Sequence, residues 1–381
     1  MASLARVIIP ARRSAFAAAR TFSTSVAQTY ALPKTGPAAV VPERGTKVEI
    51  KQIPVPQQKD LKSGEVVVEL THSGVCHSDL HLALADWAVK PSFPFIGGHE
   101  GVGKVVAVAD HTPNSPVKVG DRVGVKWVAS SCGTCYECLR GFETHCENVQ
   151  LSGYTTEGTF AKYIKSWANT VTPIPEGVDS ATAGPLLCAG VTVYKALKVS
   201  HTKTGDWIAI PGAGGGLGHL AVQYAKAMGL KVIAIDTGAD KEKLLKGYGI
   251  DAWIDFKKSK NLTQDIQNAT PDKRGPHAAL VVSASSSGYA QAIDYLRIGG
   301  TLVCVGLPDA PLDANIFNTV FKQIRIQASY VGTRQDAIEA LAFAAQGKVK
   351  VNHVVKPIDQ LESIFHDLEK GNVPGRIVVE F

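Results

Sequence analysis

A chain of 381 residues, 45% of them apolar and 19% charged, has the length for two domains of ordinary size and the composition of a soluble globular protein. No uninterrupted apolar run approaches the ~20 residues that a membrane-spanning helix needs, which excludes a transmembrane helix. The net charge of +6 comes largely from Arg6, Arg12, Arg13 and Arg20, which precede the first acidic residue, Glu43. Without those four about +2 remains, and no basic stripe with interleaved aromatics marks a nucleic-acid surface.

Residues 1–30 are rich in Ala, Ser and Arg, and Arg6, Arg13 and Arg20 recur every seventh position, near one face of a helix that Pro10 interrupts. They have the character of a mitochondrial presequence, with Arg20-Thr21-Phe22-Ser23 similar to sites cut by matrix proteases. The expected location is the mitochondrial matrix. A disordered basic tail on a cytoplasmic protein is the alternative.

After a Pro- and Gly-punctuated linker to Arg44, strands are predicted at Lys47–Ile53, Glu65–Leu70, Gly103–Ala109 and Arg122–Trp127, with turns at Gly97-Gly98 and Val119-Gly120-Asp121. This is a strand-rich domain with few helices. Within it lie two segments with chemistry, Cys76-His77-Ser78-Asp79-Leu80-His81 and Gly97-Gly98-His99-Glu100, in what read as loops and strand ends. A sulfur from Cys76, an imidazole nitrogen from His99 and a third ligand from the distant Cys188 make a zinc set with one position open, the arrangement of a catalytic site. Asp79 and Glu100 stand beside the ligands, where carboxylates orient them. The bland alternative is that a lone cysteine packs as a small hydrophobe and a lone histidine is a satisfied polar group.

Cys132-x2-Cys135-x2-Cys138-x7-Cys146 is the most specific signal. Four thiolates at this spacing enclose a tetrahedral zinc with no open position, a structural site; two disulfides are the alternative and require an oxidising compartment. Cys304, in an apolar strand, reads as packing.

From Trp207 the rhythm changes. Strands at Trp207–Ile210, Lys231–Ile235, Ala252–Asp255, Ala278–Ser283, Thr301–Val305 and Ile324–Ser329 alternate with helices at Leu217–Met228, Lys241–Gly247, Leu262–Asn268 and Tyr289–Arg297, the pattern of a parallel, doubly wound sheet. After Gly332 a helix (Gln335–Gln346), a strand near Val354, a helix (Ile358–Lys370) and a strand (Arg376–Phe381) form a tail that returns to the first domain. The first strand runs into Gly212-Ala213-Gly214-Gly215-Gly216-Leu217-Gly218, a dinucleotide turn in which Ala213, Gly215 and Gly218 occupy the three positions of G-x-G-x-x-G. Asp236 ends the next strand, where a carboxylate accepts hydrogen bonds from the adenosine ribose and repels a 2′-phosphate, favouring NAD over NADP.

With these motifs, together with Leu187-Cys188-Ala189-Gly190 and Tyr330-Val331-Gly332, the chain from about Tyr30 onward resembles the zinc-containing alcohol dehydrogenases of the medium-chain dehydrogenase/reductase superfamily, and within them the yeast-type tetrameric enzymes. The resemblance implies an α/β protein: a Rossmann NAD domain (189–325) and a β-rich GroES-like catalytic domain with a structural zinc lobe (31–188), to which 326–381 returns. It implies two zinc ions per subunit, a homotetramer, and Cys76, His99 and Cys188 as ligands of the catalytic zinc, with Glu100 behind the metal and Asp79 on His99. Ser78 then holds the substrate hydroxyl and His81 passes its proton towards solvent. His77 and Arg376 lie near the cofactor phosphates, Asp236 and Lys241 at the adenosine ribose, and Leu307 among the cofactor contacts. Trp87 and Trp127 narrow the pocket to short primary alcohols and their aldehydes. A zinc polyol or aryl-alcohol dehydrogenase is the nearest alternative; a nucleotide-binding structural or regulatory protein is the non-enzymatic one.

Overall fold

The computed structural model describes residues 31–381 except Asn372 and Pro374; the proposed presequence lies outside them. Two sheets organise the molecule. The first is built on Glu65–Val75, an eleven-residue strand whose valines are buried on both faces. One edge of this strand carries Gly101–Val108. The other is shared: Tyr163–Trp167 pairs with its first half and Arg376–Glu380 with its second, all antiparallel. Register shifts at Val67/Val68 and Leu70/His72 bend the strand enough to serve both partners. The sheet continues through Arg122–Val125 and Thr172–Pro173 on one side and His353–Pro357 on the other, so that the chain's last two strands complete its first domain.

The second sheet has six parallel strands, Trp207–Pro211, Lys231–Asp236, Ala252–Asp255, Ala278–Val281, Thr301–Cys304 and Arg325–Ala328, in spatial order 3-2-1-4-5-6. The order reverses beside the first strand, and the crevice at such a switch point is where doubly wound sheets bind ligands. Apolar runs such as Ile208-Ala209-Ile210 and Val232-Ile233-Ala234 are buried throughout, as expected of parallel strands covered on both faces.

Between the sheets runs a helical segment the periodicity did not suggest: Ser180–Pro185, then a π-helical Leu186–Gly190, then Val191–Lys198. Asp179 caps it by accepting the Thr182 N–H. Its apolar residues share a core with the helix Gly218–Ala227. A second unforeseen helix, His77–Leu84, starts at Cys76, where the Asp79 carboxylate accepts the Cys76 N–H in a capping box. The placement of the ligating candidates on loops and strand ends holds for Cys76, which follows Glu65–Val75, and for His99, in the loop before Gly101–Val108; it is corrected for Cys188, which sits in the π-helical turn, while His77, Ser78, Asp79 and His81 ride on a helix.

Candidate active site

Ligand atoms of Cys76, His99, Glu100 and Cys188 all lie within 4.8 Å of one another, and all four residues are buried. One carboxylate ties together two of the converging segments. Asp79 accepts the Cys76 N–H at 2.9 Å, the Gly98 N–H at 3.1 Å and the His99 ring Nδ1 at 2.9 Å. With Nδ1 engaged by Asp79, the other ring nitrogen of His99, Nε2, faces Cys188 Sγ, 3.2 Å away. Gly98, at φ +92°, makes the turn that delivers His99, and a Cβ there would press on Thr159 and Phe160. Gly74 leaves the space that the Glu100 carboxylate fills.

The titratable groups of the cluster are shifted in opposite directions: hydrogen bonding with Cys76 holds the Cys188 thiol well above the usual thiol range, and Asp79, against burial, holds His99 above the usual imidazole range. Hydrogen bonding with Cys188, helped by His99 and Arg376, holds the Cys76 thiol well below the usual thiol range. Burial pushes Glu100 up to about 7 against the pull of Arg376. The Arg376 guanidinium pairs with one Glu100 oxygen, and Oε2, the other, is buried with no hydrogen-bond partner among the described residues. Two sulfurs, an imidazole lone pair and an orphaned carboxylate oxygen in one buried cluster match the donor chemistry of zinc.

The remaining predicted residues fall around this cluster. Ser78 Oγ is 3.6 Å from Cys76 Sγ. Trp127 is buried with its ring edge-on to His99, centroids 5.1 Å apart, and its indole N–H donates to the Tyr330 hydroxyl. Trp87 stacks on His81 at 4.9 Å, and His81 Nδ1 lies 2.9 Å from Asp86 at the surface. His77 opens the helix, and burial lowers its basicity.

The glycine turn leaves Trp207–Pro211 through Gly212 at φ +84° and enters the helix Gly218–Ala227. A Cβ on Gly218 would collide with the Gly212 carbonyl, so the third motif position requires glycine, whereas the first tolerates the buried Ala213. Asp236 accepts the Gly214 N–H and the Lys241 ammonium, each at 2.8 Å. Gly215, Gly216 and Leu217 complete the turn, and Arg376 lies against Gly216, so that a Cβ there would be 3.2 Å from Arg376 Cδ. Arg376 thus joins the turn to Glu100, a pairing with no signal in sequence. Leu307 is two-thirds exposed in the loop after Thr301–Cys304.

Ligand atoms of Cys132, Cys135, Cys138 and Cys146 also lie within 4.8 Å of one another, and none is in a disulfide. Backbone N–H groups of Cys132 and Asn148 point at Cys146 Sγ and that of Cys135 at Cys132 Sγ, each at 3.3 Å. Bonds from the Thr134 and Cys135 backbone draw the Cys132 thiol down to about 6. This prepares the Cys132 sulfur to act as a thiolate, whereas burial and the neighbouring thiols push Cys138 up to about 12.

Sequence reasoning missed Tyr330 as the partner of Trp127, and missed Thr159, whose hydroxyl accepts the Glu100 N–H and bonds Ser73. Tyr330 lay within a quoted motif; Thr159 had no signal.

Residues 62–176 match the alcohol dehydrogenase GroES-like domain and residues 216–346 the zinc-binding dehydrogenase family. An alcohol dehydrogenase of Moraxella sp. is 47% identical over 90% of this chain and 99% of its own length. The solved alcohol dehydrogenase of Aeropyrum pernix superposes with a TM-score of 0.81 at 30% identity, covering 91% of this chain and 100% of its own. Acetophenone reductase of Geotrichum candidum, solved in complex with NAD, gives 0.79 at 26% identity, covering 92% and 98%. Two matched domains and a near-full-length relative at this identity, on a fold that brings these ligands together, mean that the chain belongs to the zinc-type alcohol dehydrogenases.

Proposed function

We propose that this enzyme interconverts short-chain primary alcohols and aldehydes with NAD, using a catalytic zinc at Cys76, His99 and Cys188 and a structural zinc at Cys132, Cys135, Cys138 and Cys146. The observation that carries the reading is the buried cluster of three ligands with the Trp127 ring edge-on beside it. Bound there, zinc supplies Lewis acidity to the substrate oxygen and NAD supplies the hydride acceptor. The protein's own residues do the rest. Asp79 fixes the His99 tautomer and, through two backbone bonds, the spacing of Cys76 and Gly98. Ser78 receives the substrate hydroxyl proton beside Cys76, and His81, oriented by Asp86 at the surface, takes it towards solvent. Trp127 walls the cavity and limits the substrate to short chains. Asp236 and Lys241 hold the adenosine ribose, the glycine turn and Arg376 the phosphates.

A steady-state screen of primary, branched, aromatic and polyol substrates with NAD and NADP, alongside zinc counting, tests the reading. Best turnover of ethanol-sized alcohols with NAD and two zinc ions per subunit are expected. One zinc at most, or a preference for polyols, overturns it.

The enzyme acts as a homo-oligomer in this reading. Support comes from the outer strand Arg325–Ala328, whose far edge has no strand partner among the described residues, and from the neighbouring helix Ile316–Phe321, where Ile316, Phe317, Val320 and Phe321 are each about two-thirds exposed or more. Tetramer is the assembly proposed. Residues 1–30 direct it to the mitochondrial matrix; a reporter fused behind them that stays in the cytosol refutes this. No helix among the described residues is long and apolar enough to cross a membrane.

A further inference from the structure

His219 opens the second position of the helix that follows the glycine turn, and its ring is buried. Both ring nitrogens are engaged. Nδ1 donates to the Gly215 carbonyl at 2.9 Å, and the bare Nε2 accepts the Asn352 N–H at 3.3 Å. One helical turn on, Gln223 makes the matching contacts: its amide donates to the Lys350 carbonyl and accepts the Lys350 N–H, each at 2.8 Å. The two side chains therefore bind the backbone of residues 350–352 as a neighbouring strand would. That segment leads into His353–Pro357, which belongs to the other domain's sheet.

The Asn352 carbonyl in turn accepts the Arg376 N–H at 2.9 Å. Arg376 lies between Gly216 and Glu100. A continuous set of hydrogen bonds thus runs from the Gly215 carbonyl through His219 and Asn352 to the backbone of Arg376, whose guanidinium comes back against Gly216. The loop closes on the place where a dinucleotide pyrophosphate meets the helix N-terminus.

The geometry points to His219 as a positioning residue that, with Gln223, sets Arg376 against the glycine turn and so fixes the clamp on the cofactor pyrophosphate. The inference rests on the NAD reading given above. Burial and the nearby Arg376 charge push His219 down to about 4, which keeps it neutral and able to donate and accept at once. Gln carries the same pair of functions; Ala carries neither.

The experiment compares wild type, His219→Ala, His219→Gln and Gln223→Ala by calorimetric binding of ADP-ribose and of adenosine, with KM for NAD, kcat and zinc content. In His219→Ala and Gln223→Ala the Kd for ADP-ribose and the KM for NAD rise about tenfold, the scale of one or two lost positioning hydrogen bonds. Adenosine, which lacks the phosphates, binds within about twofold of wild type, kcat falls less than KM rises, and His219→Gln recovers most of the ADP-ribose affinity. Equal weakening of adenosine and ADP-ribose overturns the inference, as does a Gln variant no better than Ala or unchanged ADP-ribose binding in all variants. Where His219→Ala fails to fold, the Gln variant and Gln223→Ala decide. A wild-type enzyme that does not bind ADP-ribose overturns the NAD reading itself, and this inference with it.

Discussion

In the proposed function, Trp127 is the side chain that sets the range of substrates. Its ring is held by burial, by the His99 contact and by the bond to Tyr330, so it acts as a rigid wall. Trp127→Ala removes the steric penalty on large alcohols and the apolar contact with small ones. The ratio of kcat/KM for a branched or aromatic alcohol to that for ethanol rises by roughly tenfold or more, at ~1 kcal/mol or somewhat more per well-buried methylene. A ratio that stays flat with zinc and NAD binding intact makes Trp127 a packing residue.

His219 supports a second prediction, on pH. Its folded value of about 4 lies below the ordinary 6.5, so between these values the unfolded chain binds the extra proton and stability rises with pH. As pH falls from 7 to 5 this group alone removes about 2 kcal/mol from the free energy of unfolding. His219→Gln lacks that component, so urea unfolding at the two pH values shows a smaller loss in the variant. Arg376 is the charged group that bears on the ring, and its charge is constant over this range. At this scale the ligands were readable because zinc restricts which residue types serve. The partners Thr159, Tyr330 and Asn352 were not, because each meets its target across a separation in sequence that no local spacing encodes.

Elements differ in what holds them. The four-cysteine lobe exposes Tyr136, Leu139 and Phe142 and contributes only Cys146 to the buried set, so its shape depends on what binds its sulfurs. Cys188, by contrast, lies in a helical segment supported by a large apolar core. Cys135→Ala is therefore expected to lower the melting temperature by several degrees, while Cys188→Ala loses activity and one zinc with the melting temperature little changed. Calorimetry with metal analysis separates these outcomes, and equal stability losses refute the distinction. The four inner strands of the second sheet were readable to within a residue or two because burial on both faces makes them continuous apolar runs, and the edge strands Ala252–Asp255 and Arg325–Ala328, less buried, followed from the alternation with helices. The helix His77–Leu84 was not: it is short, opens on four polar or ligating residues, and is set by the Asp79 cap. The Ser180–Lys198 helices carry Gly184 and Pro185, residues that interrupt helical periodicity, at the entrance to the π-helical turn.

For the whole molecule, strand and helix alternation announced the doubly wound sheet, whereas the pairing of the first sheet's strands depends on contacts between the two ends of the described chain. The outer strand and its apolar helix yield the remaining prediction. Phe317→Asp combined with Phe321→Asp places charge on the exposed face and shifts the enzyme to smaller species in size-exclusion chromatography with light scattering. An unchanged mass with normal folding removes this face from the assembly.

The strand Arg376–Glu380 closes the first sheet directly on His72–Val75, next to Cys76. During synthesis, Cys76 therefore lacks its flanking strand until residue 380 has left the ribosome, whereas every strand of the second sheet has emerged by residue 328. The strand that flanks the candidate metal cluster is thus the last of the described strands to be made, and the first sheet closes beside Cys76 only after every strand of the second has been synthesised.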